Sequence, residues 1–121
     1  MSKLILIVDD SVSMRHLVAF ALKDAGYEVI SAENGKDALG KLNGIKVGMV
    51  ITDLNMPEMS GVEFIKRLRS TPRYRLTPIV MLTTESQEAE KREGEQAGAS
   101  CWIVKPFTPD QLVDVVKKFS H

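Results

Sequence analysis

With 121 residues, the chain has room for one domain with its own hydrophobic core and little room for a second. Hydrophobic residues make up 44% of the chain and charged residues 26%, a globular composition that argues against disorder. Because sixteen basic side chains balance sixteen acidic ones, bulk charge gives the protein no affinity for nucleic acid or an anionic membrane.

The predicted elements alternate between strand and helix. Residues 3–8 form a continuous apolar run, typical of a strand that is covered on both faces. Apolar residues at helical spacing follow over 17–25. A more mixed strand over 27–32, nearer the sheet edge, precedes a short helix over 38–42 and a third strand over 47–51.

The second half of the chain continues this alternation. A capping box at residues 60–63 opens a helix that runs through residue 68, and a second capping box at 108–111 opens the last helix. Apolar strands are predicted between them, over 79–82 and 101–104. Five strands that alternate with five helices predict a parallel sheet with right-handed crossovers.

The helix predicted over residues 85–97 differs from the others. Its only apolar anchors are Ala89 and Ala97, and Gly94 within it costs about 1 kcal/mol relative to alanine. We therefore expect this helix to be weakly packed and mobile.

Polar and charged side chains directly follow four of the predicted strands. They are Asp9 and Asp10 after the first strand, Asp53 and then Asn55 after the third, Thr83 and Thr84 after the fourth, and Lys105 after the fifth. In an open parallel sheet, ligands bind beyond the carboxyl ends of the strands, so these side chains are expected to share one site.

The residue types at this edge point to phosphoryl chemistry. Three carboxylates in one cleft repel one another, and oxygen ligands without His or Cys favour Mg²⁺ as the cation between them. Lys105 supplies a positive charge for an anion beside the metal. A carboxylate, Mg²⁺ and an ammonium can together accept a phosphoryl group. Each acidic residue alone has a plainer interpretation as a helix cap or turn former, but their joint placement favours the phosphoryl site.

Four motifs carry a resemblance to a known family. They are Ile7-Val-Asp-Asp10, Ile51-Thr-Asp-Leu-Asn-Met-Pro57 with Gly61, Met81-Leu-Thr-Thr84 and Lys105-Pro-Phe107. With these motifs the chain resembles the response-regulator receiver domains, most of all those that act alone in chemotaxis. The resemblance covers residues 1–121 as one receiver domain. It implies a single doubly wound, flavodoxin-like α/β fold with five parallel strands in the order 2-1-3-4-5 and five helices.

The resemblance also implies a metal site and a phosphoacceptor. Asp53 would accept the phosphoryl group. Asp10 and Asp53 would ligate Mg²⁺ directly, together with the backbone carbonyl of Asn55, and Asp9 would act through bound water.

Further roles follow from the same resemblance. Lys105 would hold one phosphate oxygen, and Thr83 would bond another and move towards it on phosphorylation. Trp102 falls at the switch position, where the family usually carries Tyr or Phe, so the larger indole departs from the pattern. Asn55 and Glu85 would tune dephosphorylation by influencing water access.

These roles indicate a phosphorylation-activated switch of a two-component system, without an output domain. It would be a regulator and not an enzyme, with at most self-phosphorylation and self-dephosphorylation activity. A sensor histidine kinase would donate the phosphoryl group, and a downstream protein such as a flagellar motor switch protein would read the altered surface of helix 4, strand 5 and helix 5. A phosphatase is a further expected partner. The lone Cys101, which excludes an intrachain disulfide, favours a cytoplasmic location.

The sequence is also compatible with other functions. A single-domain phosphorelay intermediate would have the same fold and site. A magnesium-dependent phosphatase that forms an aspartyl-phosphate is less favoured, because such enzymes place the nucleophile after the first strand and cover it with a cap domain. A flavin-binding electron carrier is disfavoured by the acidic pair Asp9-Asp10 in the first loop.

Overall fold

The sheet has the predicted strand order. The computed structural model describes residues 3–119, so the first two and last two residues of the predicted domain lie outside the described ones. Its strands are β1 (Leu4–Val8), β2 (Glu28–Ala32), β3 (Met49–Asp53), β4 (Ile79–Thr83) and β5 (Cys101–Val104). All neighbouring strands are parallel, and the order β2-β1-β3-β4-β5 confirms the flavodoxin-like arrangement.

Helices connect the strands. They are α1 (Val12–Asp24), α2 (Gly35–Leu42), α3 (Gly61–Arg69), α4 (Glu88–Ala97) and α5 (Pro109–Phe119). Of the two predicted capping boxes, the one at 108–111 is complete, since Thr108 and Gln111 exchange two hydrogen bonds of 2.9 and 3.1 Å. The one at 60–63 has its N-cap bond, in which Ser60 Oγ accepts from the Glu63 N–H at 3.2 Å. None of the described helices combines the length and the apolar character that crossing a bilayer requires.

Two hydrophobic layers cover the two faces of the sheet. Successive side chains of a strand point to opposite faces. β1 therefore sends Ile5 and Ile7 into the layer that α1 and α5 complete, and Leu6 and Val8 into the layer that α2 and α3 complete. This burial on both sides explains why the predicted strands are unbroken apolar runs.

Two strands end later in the sequence than their apolar runs predict. The third strand was expected over 47–51, but β3 begins and ends two residues later and has Asp53 as its last residue. β4 likewise includes Thr83 at its end. Both polar residues are buried and paired in the ladder, Asp53 with Leu82 and Thr83 with Val104. The backbone positions of Asp53 and Thr83 are thus fixed by the sheet itself.

Some residues expected to be buried are exposed. Trp102 is 41% exposed and Val104 39%, because β5 is an edge strand and its run is not covered on both faces. Leu17, expected in the buried stripe of α1, is 42% exposed, and α1 packs on the sheet through Val18 and Leu22 instead.

The fourth helix differs from its prediction. Residues 85–97 divide into a 3-10 turn, Glu85–Gln87, and α4. The predicted anchor Ala89 is exposed, so that prediction is wrong. Gly94 is instead the buried residue of α4, and a Cβ at this position would collide with Sδ of Met81 on β4. The glycine therefore allows α4 to approach β4 closely, and the expected mobility of the helix stays a prediction.

Substituting Gly94 by alanine is expected to lower the free energy of unfolding by up to about 2 kcal/mol, because overpacking the contact with Met81 costs about 1–3 kcal/mol and the gain in helix propensity offsets about 0.5–1 kcal/mol of it. Gly40→Ala is the matched control, since Gly40 lies within α2 with open space around it. It should raise the free energy of unfolding by about 0.5–1 kcal/mol through helix propensity alone. Urea denaturation measures both, and equal stabilisation by both substitutions would contradict the close approach of α4.

Candidate functional site

Three carboxylates meet at the carboxyl ends of β1 and β3. Val8 lies beside Thr52 in the ladder, which brings the next residues, Asp9 and Asp53, together. One oxygen from each of Asp9, Asp10 and Asp53 lies within 4.8 Å of the other two. Asp9 and Asp53 are buried, whereas Asp10 is exposed. The cluster lies at the topological switch point, where the chain leaves β1 and β3 in opposite directions.

Lys105 reaches this cluster from the end of β5. Its Nζ lies 3.3 Å from Asp53 Oδ1 and 3.5 Å from Asp9 Oδ2. The backbone N–H of Lys105 donates to the carbonyl of Thr83 at 2.6 Å, which fixes the base of the side chain. Since that side chain is only 20% exposed, its charge acts on both carboxylates with limited solvent screening.

The two oxygens of the Asp53 carboxylate have different surroundings. The Leu54 N–H donates to Oδ1 at 2.9 Å, and Lys105 contacts the same oxygen. Oδ2 receives neither donor, so it is the oxygen better placed for nucleophilic attack. Burial raises the pKa of the Asp53 carboxyl and the charge of Asp9 raises it further, while Lys105 and the Leu54 N–H lower it. A cation among these carboxylates would favour the ionised, nucleophilic form.

Two residues hold the backbone of the site. The Gly61 N–H donates to the carbonyl of Leu54 at 2.8 Å, and a Cβ at Gly61 would collide with the carbonyl oxygen of Asp53. Arg15 Nη1 donates to the carbonyl of Asp9 at 2.6 Å. Arg15 is not among the residues predicted for this site. Its position in the first turns of the helix that follows the acidic pair is the signal that could have indicated it.

Thr83 brings an unpaired hydroxyl to the end of β4. The residue is 1% exposed, and its Oγ1 is the one buried side-chain oxygen or nitrogen within residues 3–119 that has no hydrogen-bond partner. An unsatisfied buried hydroxyl costs about 1–3 kcal/mol, and a bound oxyanion would remove that penalty. Thr83 is therefore a donor available to an anion at this edge of the sheet.

The remaining predicted site residues lie farther out. Trp102, Glu85 and Lys105 line a common groove of about 420 Å³. Asn55 follows the end of β3 by two residues, and its side chain is exposed. The switch role of Trp102 and the tuning roles of Asn55 and Glu85 stay predictions.

This edge of the sheet thus combines a cluster that could hold a divalent cation with a carboxylate oxygen that has no donor and two donors for an anion. The comparisons with known proteins agree with that chemistry. The sequence profile of the response regulator receiver domain matches residues 5–117, and the chain belongs to that family. It is therefore a signalling regulator and not a classical enzyme.

Individual relatives extend the match. The chain is 44% identical over 110 residues to the chemotaxis protein CheY1 of Helicobacter pylori, and the match covers 89% of each chain. It is 44% identical over 112 residues to a chemotaxis protein CheY homolog of Campylobacter jejuni, covering 89% of this chain and 85% of that one. The structure of the chemotaxis response regulator CheY4 of Vibrio cholerae matches with a TM-score of 0.92 and 44% identity, over 98% of this chain and 99% of that chain.

Proposed function

We propose that this protein is a phosphorylation-activated switch of a two-component system, in which Asp53 accepts the phosphoryl group of a phosphohistidine on a sensor kinase. The observation that carries the proposal is the position of Asp53, buried at the end of β3 between two other carboxylates and Lys105. A carboxylate oxygen of Asp53 forms the new P–O bond, the P–N bond breaks, and the imidazole leaves. Lys105 and Thr83 stabilise the phosphate oxygens.

Mg²⁺ is the cation that this proposal places among the carboxylates. Asp10 and Asp53 would ligate it directly with the backbone carbonyl of Asn55, and Asp9 would act through bound water. The all-oxygen donor set and the short distances within the cluster support a hard divalent ion. Its charge would offset the repulsion that raises the pKa of Asp53.

Mg²⁺ is expected to stabilise the folded protein, because an ion that binds only the folded state raises the free energy of unfolding as its concentration rises above its Kd. At ten times its Kd this amounts to about 1.4 kcal/mol. Asp10→Ala should weaken the effect, whereas Asp24→Ala, an exposed change at the end of α1, should leave it intact. Thermal melts with and without Mg²⁺ measure it. A wild-type melting temperature that is indifferent to Mg²⁺ would rule the metal site out.

Chemotaxis is the pathway that the relatives support. Proteins named for chemotaxis match this chain at 44% identity over most of its length. The downstream target is then a flagellar motor switch protein in the cytoplasm, and residues 1–121 form the receiver domain. Self-phosphorylation from small phosphodonors and self-dephosphorylation are its only chemical activities. Family membership does not favour the phosphatase alternative.

A pull-down in the presence of the phosphate mimic beryllofluoride and Mg²⁺ tests this function. The wild-type protein should retain the motor switch protein only when both reagents are present, and Asp53→Asn should retain none under either condition. Retention that is independent of beryllofluoride would contradict a switch. Transfer of the phosphoryl group to a second histidine protein, without binding to the motor component, would identify a phosphorelay intermediate instead.

Dephosphorylation should slow when Asn55 and Glu85 are both replaced by leucine, because both side chains are exposed beside the site and can orient water. We expect the phosphorylated state to last several times longer. Phosphate release after removal of the phosphodonor measures the lifetime. Glu63→Leu, an exposed change on α3, is the control, and an unaltered lifetime in the double variant would discredit both roles.

A further inference from the structure

A charged residue of α4 lies directly over the ring of Trp102. Lys91 Nζ is 4.2 Å from the centroid of the indole, within the range of a cation–π contact. The Lys91 side chain is 17% exposed, whereas its neighbour Arg92 is 72% exposed. Lys91 is thus packed against the ring and is not simply part of the solvated face of the helix.

The ion pairs of α4 support this placement. Glu88 Oε2 lies 3.3 Å from Lys91 Nζ one turn away, and Glu88 Oε1 lies 3.6 Å from Arg92 Nε. The pair with Glu88 restricts the directions that the Lys91 ammonium can take. Close packing of Gly94 against Met81, the ladder partner of Trp102, fixes the height of the helix over the strand.

Trp102 occupies a place from which it can move. Its ring is 41% exposed and borders the groove that Glu85 and Lys105 also line. Thr83, whose hydroxyl is unpaired, lies two residues beyond Met81 along β4. If Thr83 turns towards a phosphate, space opens on the inner side of the ring. The indole can then leave the ammonium and become more buried.

We propose that Lys91 is a positioning residue that holds Trp102 in its exposed orientation and so biases the unphosphorylated protein towards the inactive state. This inference rests on the proposed function, in which Trp102 responds to the phosphorylation site. A half-exposed cation–π contact shifts the ratio of the two ring orientations by about two- to fivefold. Lys91 touches neither the phosphate nor the metal, and it acts only through the indole.

Lys91→Gln tests the contact, because glutamine keeps the helix propensity of the side chain, removes the charge and brings no sulfur that could itself bind the ring. Lys91→Arg retains a cation that can lie over the ring. Arg92→Met is the matched control, since it removes a neighbouring charge that contacts the same Glu88. Trp102 is the only tryptophan, so its emission and its quenching by neutral acrylamide report the ring without interference.

Without any phosphate mimic, Lys91→Gln should make Trp102 less accessible to acrylamide than in the wild type. The beryllofluoride concentration that gives half of the emission change, at saturating Mg²⁺, should fall about two- to fivefold. The Lys91→Arg protein should behave like the wild type in both measurements, and Arg92→Met should leave both unaltered. A merely structural role of Lys91 would alter the urea midpoint without this pattern of rescue by arginine.

The outcomes separate this inference from the function on which it rests. If the wild type responds to beryllofluoride but Lys91→Gln behaves like the wild type or like Arg92→Met, the positioning role is overturned and the switch stands. If Asp53 is phosphorylated but the wild-type emission does not respond, the proposed role of Trp102 fails, and the inference fails with it. If Asp53 is not phosphorylated at all, the proposed function fails first.

Discussion

Asp53→Ala is expected to abolish phosphorylation completely. Incubation with acetyl phosphate and Mg²⁺ should add the mass of one phosphoryl group to the wild-type protein and none to the variant. A carboxylate oxygen of Asp53 forms the P–O bond while acetate leaves, and no other group in the site can replace that nucleophile in the same position. Intact-protein mass spectrometry at short incubation times measures the difference.

The neighbouring carboxylates make this a demanding test. Asp9 and Asp10 lie within 4.8 Å of Asp53, so a nonspecific acidic cluster would still be labelled after one member was removed. Asp9 also contacts Lys105, but both of its oxygens have donors, Lys105 for Oδ2 and the Ser11 N–H for Oδ1, whereas both donors to Asp53 contact Oδ1 and leave Oδ2 without one. Asp24→Ala, far along α1, should be labelled like the wild type, and equal labelling of Asp53→Ala would refute the assignment.

The acidic cluster was predictable because of a property of parallel sheets. Each apolar run ends in a polar residue, and parallel strands bring all of those ends to one edge. Asp9, Asp53 and Lys105 could therefore be grouped from the sequence.

The ends of the strands were less predictable. Thr52 and Asp53 are polar, yet they lie inside β3, where the Thr52 hydroxyl bonds the Asp53 carbonyl at 2.9 Å. Apolar periodicity cannot show that a polar residue is satisfied and buried.

Contacts between helices and strands could not be predicted from the sequence. From the sequence, Gly94 is a residue that destabilises its helix. Only the approach of α4 to Met81 shows that the absence of a side chain permits the packing. Lys91 reads as one charge among many in an exposed helix. Its contact with Trp102 depends on how α4 packs beside the sheet and on the position of β5 at the sheet edge. Both the packing of α4 and the edge position of β5 are set by the tertiary fold, so no periodic pattern in the sequence indicates them.

Lys105→Met is expected to destabilise the metal-free protein and to strengthen its dependence on Mg²⁺. The substitution leaves Asp9 and Asp53, with side chains 1% and 9% exposed, facing each other without a positive charge. Breaking a buried ion pair costs about 3–5 kcal/mol, and the lower end applies because Lys105 is itself 20% exposed. Removing the ammonium also removes its repulsion of a bound cation, so Mg²⁺ should bind more tightly. Urea denaturation across a Mg²⁺ series measures both effects.

Lys41→Met provides the matched control for the charge itself. Lys41 Nζ lies 3.4 Å from Asp37 Oδ2, a distance close to those of Lys105, but both side chains are well exposed. Its loss should lower the free energy of unfolding by less than about 1 kcal/mol and should not alter the response to Mg²⁺. The contrast follows from burial and from the number of carboxylates, since Lys105 contacts two buried carboxylates, whereas Lys41 contacts one and also donates to the Ser31 carbonyl at 2.7 Å. A Lys105→Met protein whose stability loss were equally large at every Mg²⁺ concentration would show that the cation does not enter this cluster, and the proposed division of charge between the metal and Lys105 would be wrong.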